Sequence, residues 1–243
     1  MPSHRTGDYV GLSLQGKRRW HRHDQIGQIM TITIEEAKSW YEEADEVHSF
    51  EHVLRVRAMA ERIGTAECAD LEIIEAAAFL HDSRGASPSE GGQERKEHHI
   101  TSAEFAGEVL AEKGWEPERI AAVQHCIRAH RYRHSGERPE SLEAQCLFDA
   151  DKLDVLGAVG AARTIAYAVL AGQPVLSEPS QQFLETGKKE PGEAHSSYHE
   201  YLFKLRKVKD QLFTDTGKAI AAERDAFLSE FYERLLAEYR GEC

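Results

Sequence analysis

Three short stretches hold the residues best suited to chemistry: His-Ser-Phe-Glu-His at 48–52, Phe-Leu-His-Asp at 79–82 and Asp-Ala-Asp-Lys-Leu-Asp at 149–154. An imidazole nitrogen beside a carboxylate oxygen is a ligand pair for a divalent cation. Consecutive helical residues point about 100° apart, so His81 and Asp82 reach one ion only near a helix end. The ion then needs donors from other helices, and His52 and Asp151 are the best candidates. Each of these residues also has a plainer use. His52, flanked by Glu51 and Arg55 on a stretch with Val53, Leu54 and Val56, would serve as a packed, hydrogen-bonded histidine. Asp82 would be a polar helix terminus, although the helix dipole disfavours an anion there and a bound cation removes that objection. Asp151 shares a face with Leu147 and Val155, and a buried carboxylate needs a partner, of which a metal is one. A His-x-x-x-His pair, His48 with His52, invites comparison with zinc proteases. That pattern needs Glu directly after the first histidine, and here Ser49 stands in its place.

The elements that must position these residues read as helices throughout. Thr33-Ile34-Glu35-Glu36 has capping-box spacing and opens a helix to about Asp45. The next carries Phe50, Val53, Leu54 and Met59, with Gly64 as its expected C-terminal stop. A third, Leu71 to His81, is dense in Ala, Leu and Ile and belongs in the core, and a loop from Gly85 to Gly92 follows it. Helices are expected at Ile100–Lys113 and Pro117–His130, then a polar link over 131–139. A long helix from about Leu142 carries Asp151, and Gly157 and Gly160 within it would permit close helix contact. Residues 173–194 form the longest irregular connection, before closing helices at Tyr198–Phe213 and Thr216–Tyr239. No alternating strand pattern, repeat or glycine-rich phosphate loop is visible. The fold class is all-α.

Composition narrows the function. The chain has 243 residues and 41% hydrophobic content, enough for a real core. A net charge of −12, from 30 Lys and Arg against 42 Asp and Glu, argues against strong nucleic-acid or anionic-membrane binding. It leaves open a nucleotide held by a metal and a few local cations. Cys68, Cys126, Cys146 and Cys243 form no Cys-x-x-Cys pair and read as reduced thiols of a cytoplasmic protein. No apolar run reaches the roughly 18–20 residues of a membrane span; Ala158 to Ala171 is too short and is interrupted by Arg163. Residues 1–29, with the basic run from Lys17 to His23, read as a disordered tail ahead of a single domain over 30–243.

The contexts "EHVLRV", "AAAFLHD" and "DADKLD" occur in the order His52, His81-Asp82, Asp151. In this the chain resembles the HD-domain metal-dependent phosphohydrolases, an all-α superfamily named for the His-Asp doublet. The resemblance spans about residues 45–160, and residues 196–228 resemble the tail of a bacterial subgroup of HD hydrolases. It implies an HD-domain helical bundle with additional C-terminal helices over about 161–243. It also implies that His52, His81, Asp82 and Asp151 ligate a divalent ion (Mn, Co, Ni, Mg, Zn or Fe), one ion being expected rather than two. A second ion would draw on His99 and His125, whose separation suits the two-metal members, but the paired histidine of those members is not identifiable here. His125 and His130, five residues apart, do not share one helical face. With one ion, His99, His125 and His130 become candidates to hold phosphate or protonate a leaving group, and His98 is expected to face solvent. Arg55 and Lys152 either neutralise phosphate charge or pair with neighbouring carboxylates, Lys152 with Asp149. Asp154 is placed to orient a ligand histidine through its other ring nitrogen.

The implied function is hydrolysis of a phosphate ester of a small molecule, a nucleotide or related compound, by metal-activated water. The alternatives are a di-iron oxygenase of the same superfamily and a non-catalytic nucleotide-binding regulator. A homo-oligomer is compatible with all three. The residues alone support only a metal site or metal hydrolase.

Overall fold

The computed structural model describes residues 31–41, 50–84, 94–132 and 136–243. The basic segment 1–29, His48 and the expected loop over 85–92 lie outside the described residues. Among the described residues there are ten α-helices, one 3-10 helix and no strand.

Local chemistry explains where most helices start. Thr33 Oγ1 accepts from the Glu36 N–H at 3.1 Å and opens α1, Ile34–Lys38. Glu36 does not complete the capping box, because its carboxylate turns to Lys113 Nζ at 2.7 Å. Asp70 caps α3, Leu71–Leu80, by accepting from the N–H groups of Glu72 and Ile73. Pro117 occupies the first turn of α5, Pro117–Ala129, and Ser141 caps α6, Leu142–Leu153. Between these run α2, Phe50–Glu67, and α4, Glu94–Glu112. α2 packs against α3 and α6, and α5 against α3, α4 and α6. The fully buried Ile63, Ile74, Phe79, Leu80, Ile127, Leu147 and Leu153 fill the space between them.

Three expectations need correction. Gly64 does not end α2, which continues to Glu67; Cys68 follows with φ of 61°. A Cβ on Gly64 would lie 2.5 Å from Ile74 Cδ1, so this glycine serves the close approach of α2 and α3. The long helix expected from Leu142 is broken after Leu153, and α7, Gly157–Leu170, starts afresh at a 60° bend. Gly157, with φ of +69°, makes that turn possible, and any Cβ there would press on Arg224. The expected helix from Tyr198 to Phe213 is instead α9, Ser197–Phe203, followed by a 3-10 segment, Leu205–Gln211. The connection over 173–194 contains a short helix, α8, Gln181–Thr186. Among the described residues no single helix is long and apolar enough to cross a membrane.

The C-terminal helix α10, Asp215–Arg240, is fastened to the bundle by one buried carboxylate. Asp149 accepts from the Phe213 N–H at 2.9 Å, the Thr214 N–H at 2.8 Å and Thr214 Oγ1 at 2.6 Å. A Cβ on Gly217 would sit 2.4 Å from Asp149 Oδ2, so only glycine leaves room for this contact. The connection before α9 has its own anchor. Glu193 accepts from Ser180 N at 2.7 Å, Ser180 Oγ at 2.8 Å and Glu190 N at 2.6 Å, and meets His199 Nε2 at 3.0 Å.

Asp149→Ala is expected to cost about 1–3 kcal/mol in urea unfolding, because the Phe213 and Thr214 donors lose their acceptor. Glu193 makes a pH-dependent contribution. The Ser180 backbone bond, with burial opposing and His199 assisting, holds its carboxyl at about 2. A depressed folded-state pKa gives stability that is complete above about pH 4.3, the ordinary glutamate value, and is lost as pH falls towards about 2. Thermal melts across that window should therefore fall less steeply for Glu193→Gln than for the unaltered chain; equal slopes would remove Glu193 from the acid response.

Candidate metal centre

Three helices bring the sequence-derived ligands together. His52 stands in the first turn of α2, His81 is the residue that ends α3, Asp82 follows it, and Asp151 lies in the last turn of α6. His52 Nε2 is 4.0 Å from Asp82 Oδ2 and 3.5 Å from Asp151 Oδ1, and His81 Nε2 is 3.6 Å from Asp82 Oδ2. Donor atoms of His52, His81 and Asp82 all lie within 4.8 Å of one another. Donors about 2.0–2.2 Å from a shared ion fall in this range of mutual distance.

The tautomers suit ligation. His81 Nδ1 donates to the Ala78 carbonyl at 2.8 Å, which leaves a lone pair on Nε2, and that atom is buried with no hydrogen-bond partner. His52 Nδ1 donates to Asp154 Oδ2 at 2.7 Å, which likewise turns Nε2 inward, where a bound ion would displace the proton that Asp151 and Asp154 otherwise hold on the ring. A buried imidazole nitrogen with no donor facing it is costly unless a cation takes the lone pair. The residues present therefore fit a divalent ion.

Asp154 is the hub behind His52. Its side chain is only 5% exposed, and it accepts from Arg55 Nε at 2.7 Å and Nη2 at 3.1 Å and from Arg163 Nη1. Burial opposes its charge, but His52 and Arg55, with Arg163 adding charge, outweigh that and hold the carboxyl at about 2. Burial likewise works against a charged His52, yet Asp151 and Asp154 raise it to about 9. Asp82 and Asp151 both lie well below the usual carboxylate range. Burial is overcome at Asp82 by His81, His130 and His98, and at Asp151 by Lys152, His52 and His130. The centre thus presents two anionic carboxylates to whatever occupies it.

The other sequence candidates divide. His130 is buried beside the ligands: Nδ1 donates to the Ile127 carbonyl at 2.6 Å, and Nε2 is 3.4 Å from Asp82 Oδ1. Burial dominates the Asp82 charge and lowers His130 to about 4, so the ring is neutral. Lys152 donates to Asp151 Oδ2 at 2.7 Å and to the His130 carbonyl at 3.1 Å, not to Asp149, which is engaged with α10. Arg55 is held by Asp154. His125 is not brought to the ligand group; Nδ1 meets Glu137 at 2.5 Å and Nε2 accepts from Glu140 N at 3.2 Å. His99 also lies outside the groups of clustered donors, and burial, helped by His98 and Arg131, lowers its pKa.

His98 corrects the expectation of a solvent-facing residue. It is 8% exposed, with Nε2 3.0 Å from Asp82 Oδ1 and 3.3 Å from His130 Nε2. Arg131 Nη1 donates to His98 Nδ1 at 3.1 Å, so the ring proton sits on Nε2 and points into the centre. Adjacent histidines at 98 and 99 gave no sequence signal as to which one turns inward. Arg163 was visible only as the charge interrupting an apolar run, and that interruption was its signal.

Comparison with known proteins settles the family. Residues 49–156 match the HD domain family, a segment that contains all four candidate ligands. An uncharacterised Bacillus subtilis protein, YpgQ, is 30% identical over 197 residues, covering 80% of this chain and 85% of YpgQ. The chain belongs to the HD-domain family. The crystal structure of YpgQ in complex with ADP superposes with a TM-score of 0.63 at 28% identity, covering 84% of this chain and 93% of that one. An HD-superfamily hydrolase from Bacillus thuringiensis gives a TM-score of 0.63 at 28% identity, covering 85% of this chain and 94% of its own. Both likenesses cover far more of the chain than the HD segment does.

Removing the hub tests the centre without touching a ligand. Asp154→Ala should weaken divalent-ion binding by about 10–100-fold, because His52 loses the acceptor that fixes its ring. Calorimetric titration of stripped protein with Mn²⁺, beside circular dichroism to confirm folding, measures this; unchanged affinity would show that Asp154 does not orient His52.

Proposed function

We propose that this chain is a metal-dependent phosphohydrolase acting on a small phosphorylated substrate, a nucleotide or a related compound. The observation that carries the reading is the grouping of His52, His81 and Asp82 donors, among them the buried, unpartnered His81 Nε2, with Asp151 Oδ1 3.5 Å from His52 Nε2. Membership of the HD-domain family supports a hydrolase, and the ADP complex of YpgQ supports a nucleotide ligand. His52, His81, Asp82 and Asp151 would hold a divalent ion, which would supply Lewis acidity for a phosphoryl oxygen and a lowered pKa for water.

The protein's own groups divide the remaining work. Asp154, clamped by Arg55 and Arg163, keeps the His52 ring oriented. Lys152 offsets the negative charge of Asp151 and is anchored to the His130 carbonyl, so it stays beside the reacting phosphate. His98 presents an N–H beside Asp82, at the position from which a donor stabilises a developing oxyanion or protonates a leaving group. His130, neutral and buried, backs that donor. In this assignment His98 and His130 take the roles that the sequence reading spread over His99, His125 and His130.

A second reading rests on a separate observation. Donor atoms of Asp82, His98 and His130 also lie within 4.8 Å of one another, and Asp82 belongs to both groups. A dinuclear centre, and with it the di-iron oxygenase class, would use His98 and His130 rather than His99 and His125. The Arg131 bond to His98 Nδ1 favours the mononuclear reading, since it places the His98 proton where a ligand lone pair is needed.

Turnover of nucleotides and phosphoesters with Mn²⁺, Co²⁺, Ni²⁺ or Mg²⁺, scored for phosphate and pyrophosphate release, tests the proposal. Asp82→Ala should lose activity and metal together. His98→Ala should keep one ion and lose about 10²–10⁴-fold in rate. Two iron ions with oxygen consumption and no phosphate release would move the protein to the oxygenase class. Nucleotide binding without any turnover would make it a regulator.

A further inference from the structure

The His-Asp doublet stands where α3 stops, and the stop is made by side chains. An uninterrupted helix would put the Ser83 N–H on the Phe79 carbonyl and the Asp82 N–H on the Ala78 carbonyl, each four residues back. Other donors sit on both carbonyls. Ala78 accepts from His81 Nδ1 at 2.8 Å, and Phe79 accepts from the Tyr41 hydroxyl at 2.8 Å. Ser83 turns to Leu80 instead, through its N–H at 3.2 Å and its Oγ at 2.9 Å. The carbonyls of Ala78, Phe79 and Leu80, which a helix end leaves orphaned, are thereby satisfied without a further turn.

Of these donors only Tyr41 comes from a distant segment. It lies 38 residues before Phe79, after α1 and ahead of the segment 49–156 that matches the HD domain. Its ring packs on Phe50 of α2, with 5.4 Å between centroids, and its N–H donates to the Lys38 carbonyl at 3.2 Å. The Asp82 N–H faces the same hydroxyl oxygen. Burial, with the Asp82 charge adding to it, pushes the Tyr41 hydroxyl well above the ordinary tyrosine range, so it stays protonated and donates. One hydroxyl thus takes the acceptor that Ser83 would use and meets the amide of a candidate metal ligand. Without it the Phe79 carbonyl is open to the Ser83 N–H, and the chain around Asp82 is no longer held to one path.

We propose that Tyr41 is a positioning residue of the metal centre: its hydroxyl stops α3 at Leu80 and so holds Asp82 with Oδ2 towards His52 and His81 and Oδ1 towards His98 and His130. Tyr41 acts through the Asp82 backbone and touches none of the other candidate ligands. The consequence for metal rests on the metal-centre reading given above, whereas the helix stop does not, and the two are read out separately.

Tyr41→Phe keeps the ring against Phe50 and removes only the hydroxyl. In metal-free protein, backbone NMR shifts should move at residues 81–84 and stay unchanged in α10. Calorimetric titration of the full chain should show Mn²⁺ affinity about tenfold weaker or more. Lys113→Met removes the 2.7 Å bond that fastens α1 to α4 but leaves the hydroxyl in place, and should alter neither readout. Unmoved shifts at 81–84 in Tyr41→Phe would overturn the proposal whether or not the protein binds metal. So would unchanged Mn²⁺ affinity, or an equal loss of affinity in Lys113→Met. No Mn²⁺ binding by the unaltered chain would instead refute the metal-centre reading, and the shifts would then decide the helix stop alone.

Discussion

The carboxylate of Asp154 is the junction on which the metal centre depends. It lies where the chain breaks between α6 and α7, and it holds His52 and Arg55 of α2 and Arg163 of α7 at once. A buried carboxylate carrying this many charged contacts is stable only if every partner stays in place. The break itself requires Gly157, whose positive φ redirects the chain so that Arg163 points back towards Asp154. Asp151, three residues earlier in the same helix, then faces His52 Nε2 while Asp154 takes Nδ1. One histidine is thereby gripped from both sides by two aspartates of a single helical turn.

The ligand positions follow from how tightly α2, α3 and α6 pack. The run Ala76-Ala77-Ala78 has almost no exposed surface, and Gly64 lets α2 approach α3 closely. α3 ends where His81 can donate to the Ala78 carbonyl, and that bond sets the tautomer at the deepest point of the centre. Asp82 stands just past the helix, so its two oxygens face different neighbours: Oδ2 towards His52 and His81, Oδ1 towards His98 and His130. The charges of this small region oppose one another closely enough that removing a single member alters the protonation of the others.

Much of this was legible in the sequence, for physical reasons. Helix periodicity and start signals such as Thr33 and Pro117 are local, and so are the motifs that point to His52, His81, Asp82 and Asp151. What was not legible depends on contacts between distant segments. Gly64 read as a helix stop because its use, room for Ile74, is tertiary. His98 and His99 are indistinguishable in a string, and only the orientation of α4 on α5 turns His98 inward. His125 has the composition of a site residue, but Glu137 occupies it. The break after Leu153 was hidden because Leu142 to Leu170 remains helical in composition on both sides. The fastening of α10 by Asp149 was equally invisible, since its partners lie about 65 residues away.

The central claim is that one divalent ion sits between His52, His81, Asp82 and Asp151. Anomalous diffraction from crystals soaked in Mn²⁺ tests it most directly. The account predicts a single strong peak within bonding distance of His52 Nε2, His81 Nε2, Asp82 Oδ2 and Asp151 Oδ1. A peak only on the Asp82, His98 and His130 side, or none among these residues at saturating Mn²⁺, would contradict it.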